Sequence, residues 1–397
     1  MPDRLLDLAR WVLEHVPLPD LHSPLFFNKL VTDCSRELVQ FIIDFSLLLT
    51  GLVAFRLNSL RTTTSSKKRS TDRLPERGKS PERKIVDGFR IASGVSTLAG
   101  IAGILAQTVN GDTEDEAPME SRALGSMGFN ASVLGMGGIY ICRGDTAEGI
   151  GVLDTALELG INYFDTATQY GNGESERRYG IWLNGLEEEG RRGEVFIATK
   201  TLTRGYDMAS AEIEESFARL QTEYVDLLQI HAVNDMDTWM TVSSRMGSLR
   251  AIEQAKESGR VRHIGITGHK DPEVLLRAIE EYPFDSVLMP LGITDRMNKP
   301  FVETVLPECV ARGISVVAMK VFAEGNLVTA GADLRRCLHY TLSLPVSTAI
   351  IGMGSPAQVI ENVAWTKAFI AMTEEEKEAL AGEIGELIDV EELWWKR

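Results

Sequence analysis

Eight short apolar or β-branched runs alternate with amphipathic stretches across residues 118–397. They predict an α/β protein, a parallel (β/α)8 TIM barrel, behind an N-terminal helical or disordered extension at 1–117. Helix start and stop signals fall between the runs, in the order such a barrel needs. The rival architecture, an open doubly wound sheet, calls for a glycine-rich turn straight after its first strand. Leu134-Gly135-Met136-Gly137-Gly138 lacks the G-x-G-x-x-G order before a helix and reads as strand and turn.

The predicted strands are 133–136, 162–165, 195–199, 225–230, 263–266, 286–289, 315–319 and 348–351. Amphipathic stretches such as 147–159, 211–220, 249–258, 273–281 and 301–312 lie between them. Asp271-Pro272 and Ser355-Pro356 each offer an N-cap followed by proline at the first helical position. Thr373 with Glu376 forms a capping box, and Gly160, Gly259 and Gly313 sit just past helix ends.

The extension reads differently. Residues 1–17 have apolar positions at helical spacing and mixed charges, which suits a helix packed on another surface or one lying on a membrane. Residues 39–55 are the most hydrophobic run, interrupted by Asp44, at the short limit for a bilayer span. A span stays open there beside a buried helix or a poorly folded tail. Residues 61–84 are polar and basic, a linker or disordered segment. Residues 91–109 are weakly apolar but lack the position and cleavage site of an export signal. Asn130-Ala131-Ser132 fits a glycosylation sequon, which matters only in a secreted domain.

Composition narrows the function. The net charge of −16 is uneven: residues 1–110 carry 15 basic and 11 acidic side chains, the remainder 26 and 46. An acidic body repels phosphate backbones, so no nucleic-acid partner is expected. Cys34, Cys142, Cys309 and Cys337 form no C-x-x-C pair, and the six histidines show no H-x-x-x-H spacing. A disulfide framework, an iron–sulfur cluster and a dedicated metal site are disfavoured.

Catalytic residues in such a barrel belong at the C-terminal strand ends. Asp165 closes NYFD, Tyr170 lies in the loop TATQYGNGESE, Lys200 closes VFIATK and His231 closes VDLLQIH. A tyrosine hydroxyl is a poor acid unless its anion is stabilised; an ammonium does that, and a carboxylate fixes the ammonium. A histidine can donate a hydrogen bond to a carbonyl oxygen. Together these groups suit hydride addition to an aldehyde or ketone, with the proton supplied by Tyr170.

At this point the sequence resembles the aldo-keto reductase superfamily over roughly 118–385. The likeness rests on GINYFDTATQYGNGESE (160–176), IATK (197–200), VDLLQIH (225–231), SGRVRHIGIT (258–267) and IIGMGSPAQVIENV (350–363). The four residue types occur in family order at spacings of 5, 30 and 31. The resemblance implies a nicotinamide cofactor, usually NADP with NAD as the alternative. It assigns Tyr170 as acid, Lys200 and Asp165 as tuners, and His231 as the residue that orients the carbonyl.

The resemblance also marks a cofactor pocket. Thr267-Gly268 stands where many relatives have Ser-Asn for the nicotinamide amide, with His269 following. Leu288 replaces a common Gln, and Leu291 a common stacking aromatic. Lys320 replaces a usual Ser and reads either as a partner of the pyrophosphate or as a surface lysine. Gly352, Gly354 and Ser355 open onto a helix whose N-terminus suits phosphate. Glu361 and Asn362 match adenine-contacting positions, and Gln358 takes the place of an Arg that meets the 2′-phosphate in NADP-specific relatives.

The principal expectation is an NAD(P)H-dependent reductase of a small-molecule carbonyl. The alternative is a membrane-associated, cofactor-binding regulatory or sensor subunit with little turnover. Basic residues behind 39–55 and the location of the cofactor pool place the barrel in the cytoplasm, with one anchor at 39–55 or none. Substrate identity, shaped by loops 204–209, 232–246, 292–300 and 322–332, is not encoded in any readable motif, and oligomeric state is equally open.

Overall fold

The computed structural model describes residues 118–397. The segments 1–17, 39–55, 61–84 and 91–109 therefore lie outside the described residues. Among the described residues no helix is long and apolar enough to cross a membrane.

A short antiparallel hairpin comes first, β1 (Ser121–Ala123) paired with β2 (Asn130–Ser132). Eight parallel strands follow: β3 (Leu134–Gly137), β4 (Tyr163–Asp165), β5 (Phe196–Thr201), β6 (Val225–Ile230), β7 (Val261–Thr267), β8 (Ser286–Pro290), β9 (Ser315–Met319) and β10 (Thr348–Gly352). They close into a barrel when β10 pairs with β3, with Ala349 opposite Leu134. Each predicted strand is present, with ends shifted by a few residues at most.

The connecting helices are α1 (Thr146–Glu158), α2 (Glu174–Glu188), α3 (Tyr206–Leu220), α4 (Met236–Ser243), α5 (Ser248–Glu257), α6 (Pro272–Glu281), α7 (Phe301–Arg312), α8 (Asn326–Thr329), α9 (Leu334–Leu342), α10 (Pro356–Lys367) and α11 (Glu374–Leu387). The expected caps form. Asp271 accepts from the Glu273 N–H, and Thr373 and Glu376 bond reciprocally at the start of α11. Stretches read as loops carry short helices instead: α4 lies within 232–246 and α8 within 322–332.

Two apolar layers hold the barrel. One packs the outward strand faces against the helices, including Val225, Ile264, Val316 and Ile351. The other fills the interior with Tyr163, Phe196, Leu227, Leu288 and Val317, and the hairpin adds Leu124 and Ala131. Phe129 meets Phe196, the first residue of β5, at 5.3 Å between ring centroids. The hairpin therefore stoppers the N-terminal end of the barrel, leaving the opposite end as the mouth.

The shell is tight where α2 crosses α3. A Cβ on Gly180 would come within 2.2 Å of the Arg219 carbonyl oxygen. We expect Gly180→Ala to force the helices apart and cost about 1–3 kcal/mol. Denaturant unfolding checks this, and an unchanged midpoint would refute the close approach.

Candidate active site at the barrel mouth

Parallel pairing sets the positions of the polar side chains. Asp165 ends β4 and pairs in register with Ala198, while Lys200 pairs with Gln229 on β6. His231 follows β6 directly. Tyr170 sits in a loop that must turn sharply into α2. Gly171, Asn172 and Gly173 have φ of 60°, 54° and 82°, a left-handed run that glycine and asparagine tolerate best. Ser175 then ties the start of α2 to the Gly138 carbonyl at 2.9 Å.

The four predicted residues come together. Lys200 is fully buried and forms an ion pair with the fully buried Asp165. Its Nζ also donates to the Thr166 carbonyl at 2.7 Å and to the Tyr170 hydroxyl at 3.3 Å. The amide of Gln229 donates to the second Asp165 oxygen at 3.3 Å. The Tyr170 and His231 rings meet edge to face, 6.2 Å between centroids.

Electrostatics refine the sequence argument. Burial pushes the Tyr170 hydroxyl above the ordinary phenol range; the Lys200 charge opposes this without reversing it. Burial alone would depress the Lys200 ammonium, but Asp165 and then Tyr170 raise it, and the net direction is upward. Lys200 therefore stays charged, as the partner of any anion that forms on Tyr170. Burial, reinforced by the charges of Lys200, Arg204 and Lys320, holds His231 well below the usual histidine value. His231 is thus a neutral imidazole at neutral pH.

A second histidine and the C-terminal tail complete the rim. His269, buried and lowered to about 3 chiefly by desolvation, lies 6.2 Å from His231 between ring centroids. The Trp394 ring lies 5.5 Å from His269. Lys320 is not a surface lysine. It pairs with Glu324 and sits 5.2 Å and 4.9 Å from the ring centres of Trp394 and Trp395. Glu324 also receives the Trp394 indole N–H at 3.0 Å. Lys396 anchors the tail through a buried pair with Asp295 at 2.5 Å.

The predicted cofactor positions divide into two groups. Near the mouth, the Thr267 hydroxyl accepts the Ala232 N–H at 2.8 Å. Gly268 packs so closely that a Cβ would stand 2.8 Å from the Val233 carbonyl oxygen. At the end of β10, Gly352 packs against Tyr140, Gly354 donates to the Gln358 amide oxygen at 2.7 Å, and Ser355 caps α10. Glu361 is exposed on α10, whereas Asn362 is buried with its Oδ1 unpartnered. Leu291 is packed in the outer core and Leu288 in the barrel interior, so neither offers a stacking face.

Sequence reasoning missed Gln229, Glu212 and Trp394. Gln229 had a local signal: it lies two residues before His231, on the strand face that points inward with Leu227. The other two act across 44 and 125 positions, on Thr168 and His269, with no local pattern to mark them.

Residues 133–336, about half of the chain, match the model of the aldo/keto reductase family. The chain belongs to the aldo/keto reductase family. It is 29% identical to L-galactose dehydrogenase of Arabidopsis thaliana over 285 residues, which is 62% of this chain and 88% of that one. It is also 29% identical to D-threo-aldose 1-dehydrogenase of a Pseudomonas species, over 54% of this chain and 71% of the relative. Among solved structures, aldo-keto reductase AKR11C1 from Bacillus halodurans in its holo form aligns with a TM-score of 0.55 at 27% identity. That alignment covers 66% of this chain and 96% of that structure. Membership of the aldo/keto reductase family makes the chain an oxidoreductase of carbonyl chemistry.

The buried pair in this aldo/keto reductase has a measurable consequence. Asp165→Asn leaves the Lys200 ammonium without a counter-charge, and we expect a loss of about 3–5 kcal/mol. Adding Lys200→Met should recover much of that loss. Calorimetric unfolding of the wild type and the single and double variants tests this; additive losses would refute the pairing.

Proposed function

We propose that this chain reduces an aldehyde or ketone with a nicotinamide cofactor and that Tyr170 supplies the proton. The single supporting observation is the contact of the Tyr170 hydroxyl with a buried, charged Lys200 beside a neutral His231.

The residues fit the cofactor. Asn362 has a buried, unpartnered acceptor oxygen suited to a donor such as an adenine amine. Gly352, Gly354 and Ser355 would carry the phosphates, with Gln358 and Glu361 beside Asn362 on α10. Thr267, Gly268 and Lys320 would meet the cofactor nearer the mouth. When bound, a reduced nicotinamide supplies a hydride. NADP is favoured by family habit; the neutral Gln358 keeps NAD as the alternative.

His231, neutral, donates a hydrogen bond that orients the substrate carbonyl and draws charge onto its oxygen. The Tyr170 hydroxyl gives its proton to that oxygen as the alkoxide forms. The resulting phenolate is stabilised by the Lys200 ammonium, which Asp165, Thr166 and Gln229 hold in place. Two relatives bear names of sugar dehydrogenases, so hydroxylated aldehydes head the substrate panel. Nothing among the described residues favours the regulatory-subunit reading. We assign the barrel, taken as 118–397 behind an extension at 1–117, to the cytoplasm from cofactor supply, with 39–55 as its candidate anchor.

The test is turnover of NADPH or NADH with a panel of aldehydes by the wild type and Tyr170→Phe. We expect the variant to lose about 10²–10⁴-fold in kcat. Because burial raises Tyr170 and lowers His231, wild-type reduction should be level from about pH 6 to 9 and fall only as the phenol ionises, above about pH 10. Equal turnover in the two proteins would reject Tyr170 as the acid.

A further inference from the structure

Tyr170 stands on the loop after β4 and Lys200 at the end of the neighbouring strand β5, and the backbone alone ties that loop to that strand end weakly. One step below the site, the Thr166 N–H donates to the Ala198 carbonyl at 2.8 Å; at the level of the site, the Thr168 N–H reaches the Lys200 carbonyl only at 3.5 Å. Strand pairing has nearly run out where the two side chains must be held together.

A carboxylate takes over at that level. Glu212, on α3, is half-buried. Its Oε1 accepts from the Thr168 hydroxyl at 3.0 Å, two residues before Tyr170. Its Oε2 accepts from the N–H groups of Leu202 and Thr203 at 2.9 Å and 3.1 Å and from the Thr203 hydroxyl at 2.9 Å. It also accepts from the hydroxyl of Thr201, the residue after Lys200. Partial burial works against the charged form, yet these donors keep Glu212 below the usual carboxylate range.

We propose that Glu212 is a positioning residue whose carboxylate clasps the Tyr170 loop to the Lys200 strand end and thereby sets the distance between hydroxyl and ammonium. The division of labour between its oxygens carries the inference. One oxygen is fixed by the Lys200 side, and the other is left to hold the Tyr170 side through a single hydroxyl. A residue serving only loop stability would have no need to bridge the two. The proposal rests on the reading of Tyr170 as the proton donor.

Thr168→Val removes the bridging hydroxyl alone and leaves Glu212 with its donors on 201–203. In the full chain we expect kcat to fall about ten- to a hundredfold, since small misplacements of reacting groups have effects of that order. The dissociation constant for NADPH, read by tryptophan fluorescence, should stay within about twofold. Thr168→Ser, which keeps the hydroxyl, should restore most of the rate. In a Tyr170→Phe background, Thr168→Val should cause no further loss, because the clasp acts through Tyr170. The proposal is overturned if Thr168→Val turns over like the wild type. It is equally overturned if it loses the same factor with and without Tyr170, or if Thr168→Ser fails to rescue. If Tyr170→Phe alone is as active as the wild type, the reading of Tyr170 as the acid fails first and the clasp falls with it.

Discussion

The mouth of this barrel is organised around one ammonium group taken out of water. Burying a charge costs several kcal/mol unless it is paired and hydrogen-bonded. The three donors on Lys200 Nζ meet Asp165, the Thr166 carbonyl and the Tyr170 hydroxyl. Two of these partners lie in or directly after β4 and the third in its loop, so the lysine on β5 is held by the neighbouring strand end. Gln229 on β6 engages the second Asp165 oxygen. Three adjacent strand ends are thereby linked by side chains, and barrel closure makes those ends adjacent in the first place.

Charge at the rim is sorted rather than pooled. The described body is acidic, yet Lys200, Arg204 and Lys320 surround two histidines that burial keeps neutral. A neutral imidazole can donate from one nitrogen while accepting at the other, and it adds no charge to compete with Lys200 for an anion on Tyr170. Arg204 is occupied with the His231 and Ala232 carbonyls at 2.6 Å and 3.0 Å, which holds the backbone at His231 instead of presenting a free cation. The backbone beside Lys320 is strained: Lys320, Ala323 and Glu324 have φ of 61°, 49° and 57°. Such conformations persist where surroundings impose them, here the Glu324 bonds to Lys320 and Trp394.

The barrel was legible because parallel strands buried on both faces read as short continuous apolar runs. The caps at Asp271, Ser355 and Thr373 were legible because capping is local chemistry. The hairpin of β1 and β2 was not: its strands are three residues long and its stability comes from filling the barrel end with Leu124 and Phe129. Helix α4 hid within a polar loop because only Trp239 and Val242 on it are buried. At the site, Asp165, Tyr170, Lys200 and His231 could be read from strand ends and spacing. Glu212 and Trp394 could not, since the contacts that tie them to the site, Glu212 with Thr168 and Trp394 with His269 and Glu324, are distant in sequence. Leu291 shows the converse: a position marked by resemblance is occupied by core packing.

The decisive quantity is the protonation state of one nitrogen. Heteronuclear NMR of the Lys200 side chain, assigned with Lys200→Met, reads it directly in the free protein between pH 6 and 10.5. If Asp165 and Tyr170 hold the ammonium as described, its Nζ signal keeps the charged-form shift throughout that range. A transition to the free amine below pH 9 would contradict the account, because an uncharged Lys200 supplies no positive charge to balance an anion on Tyr170.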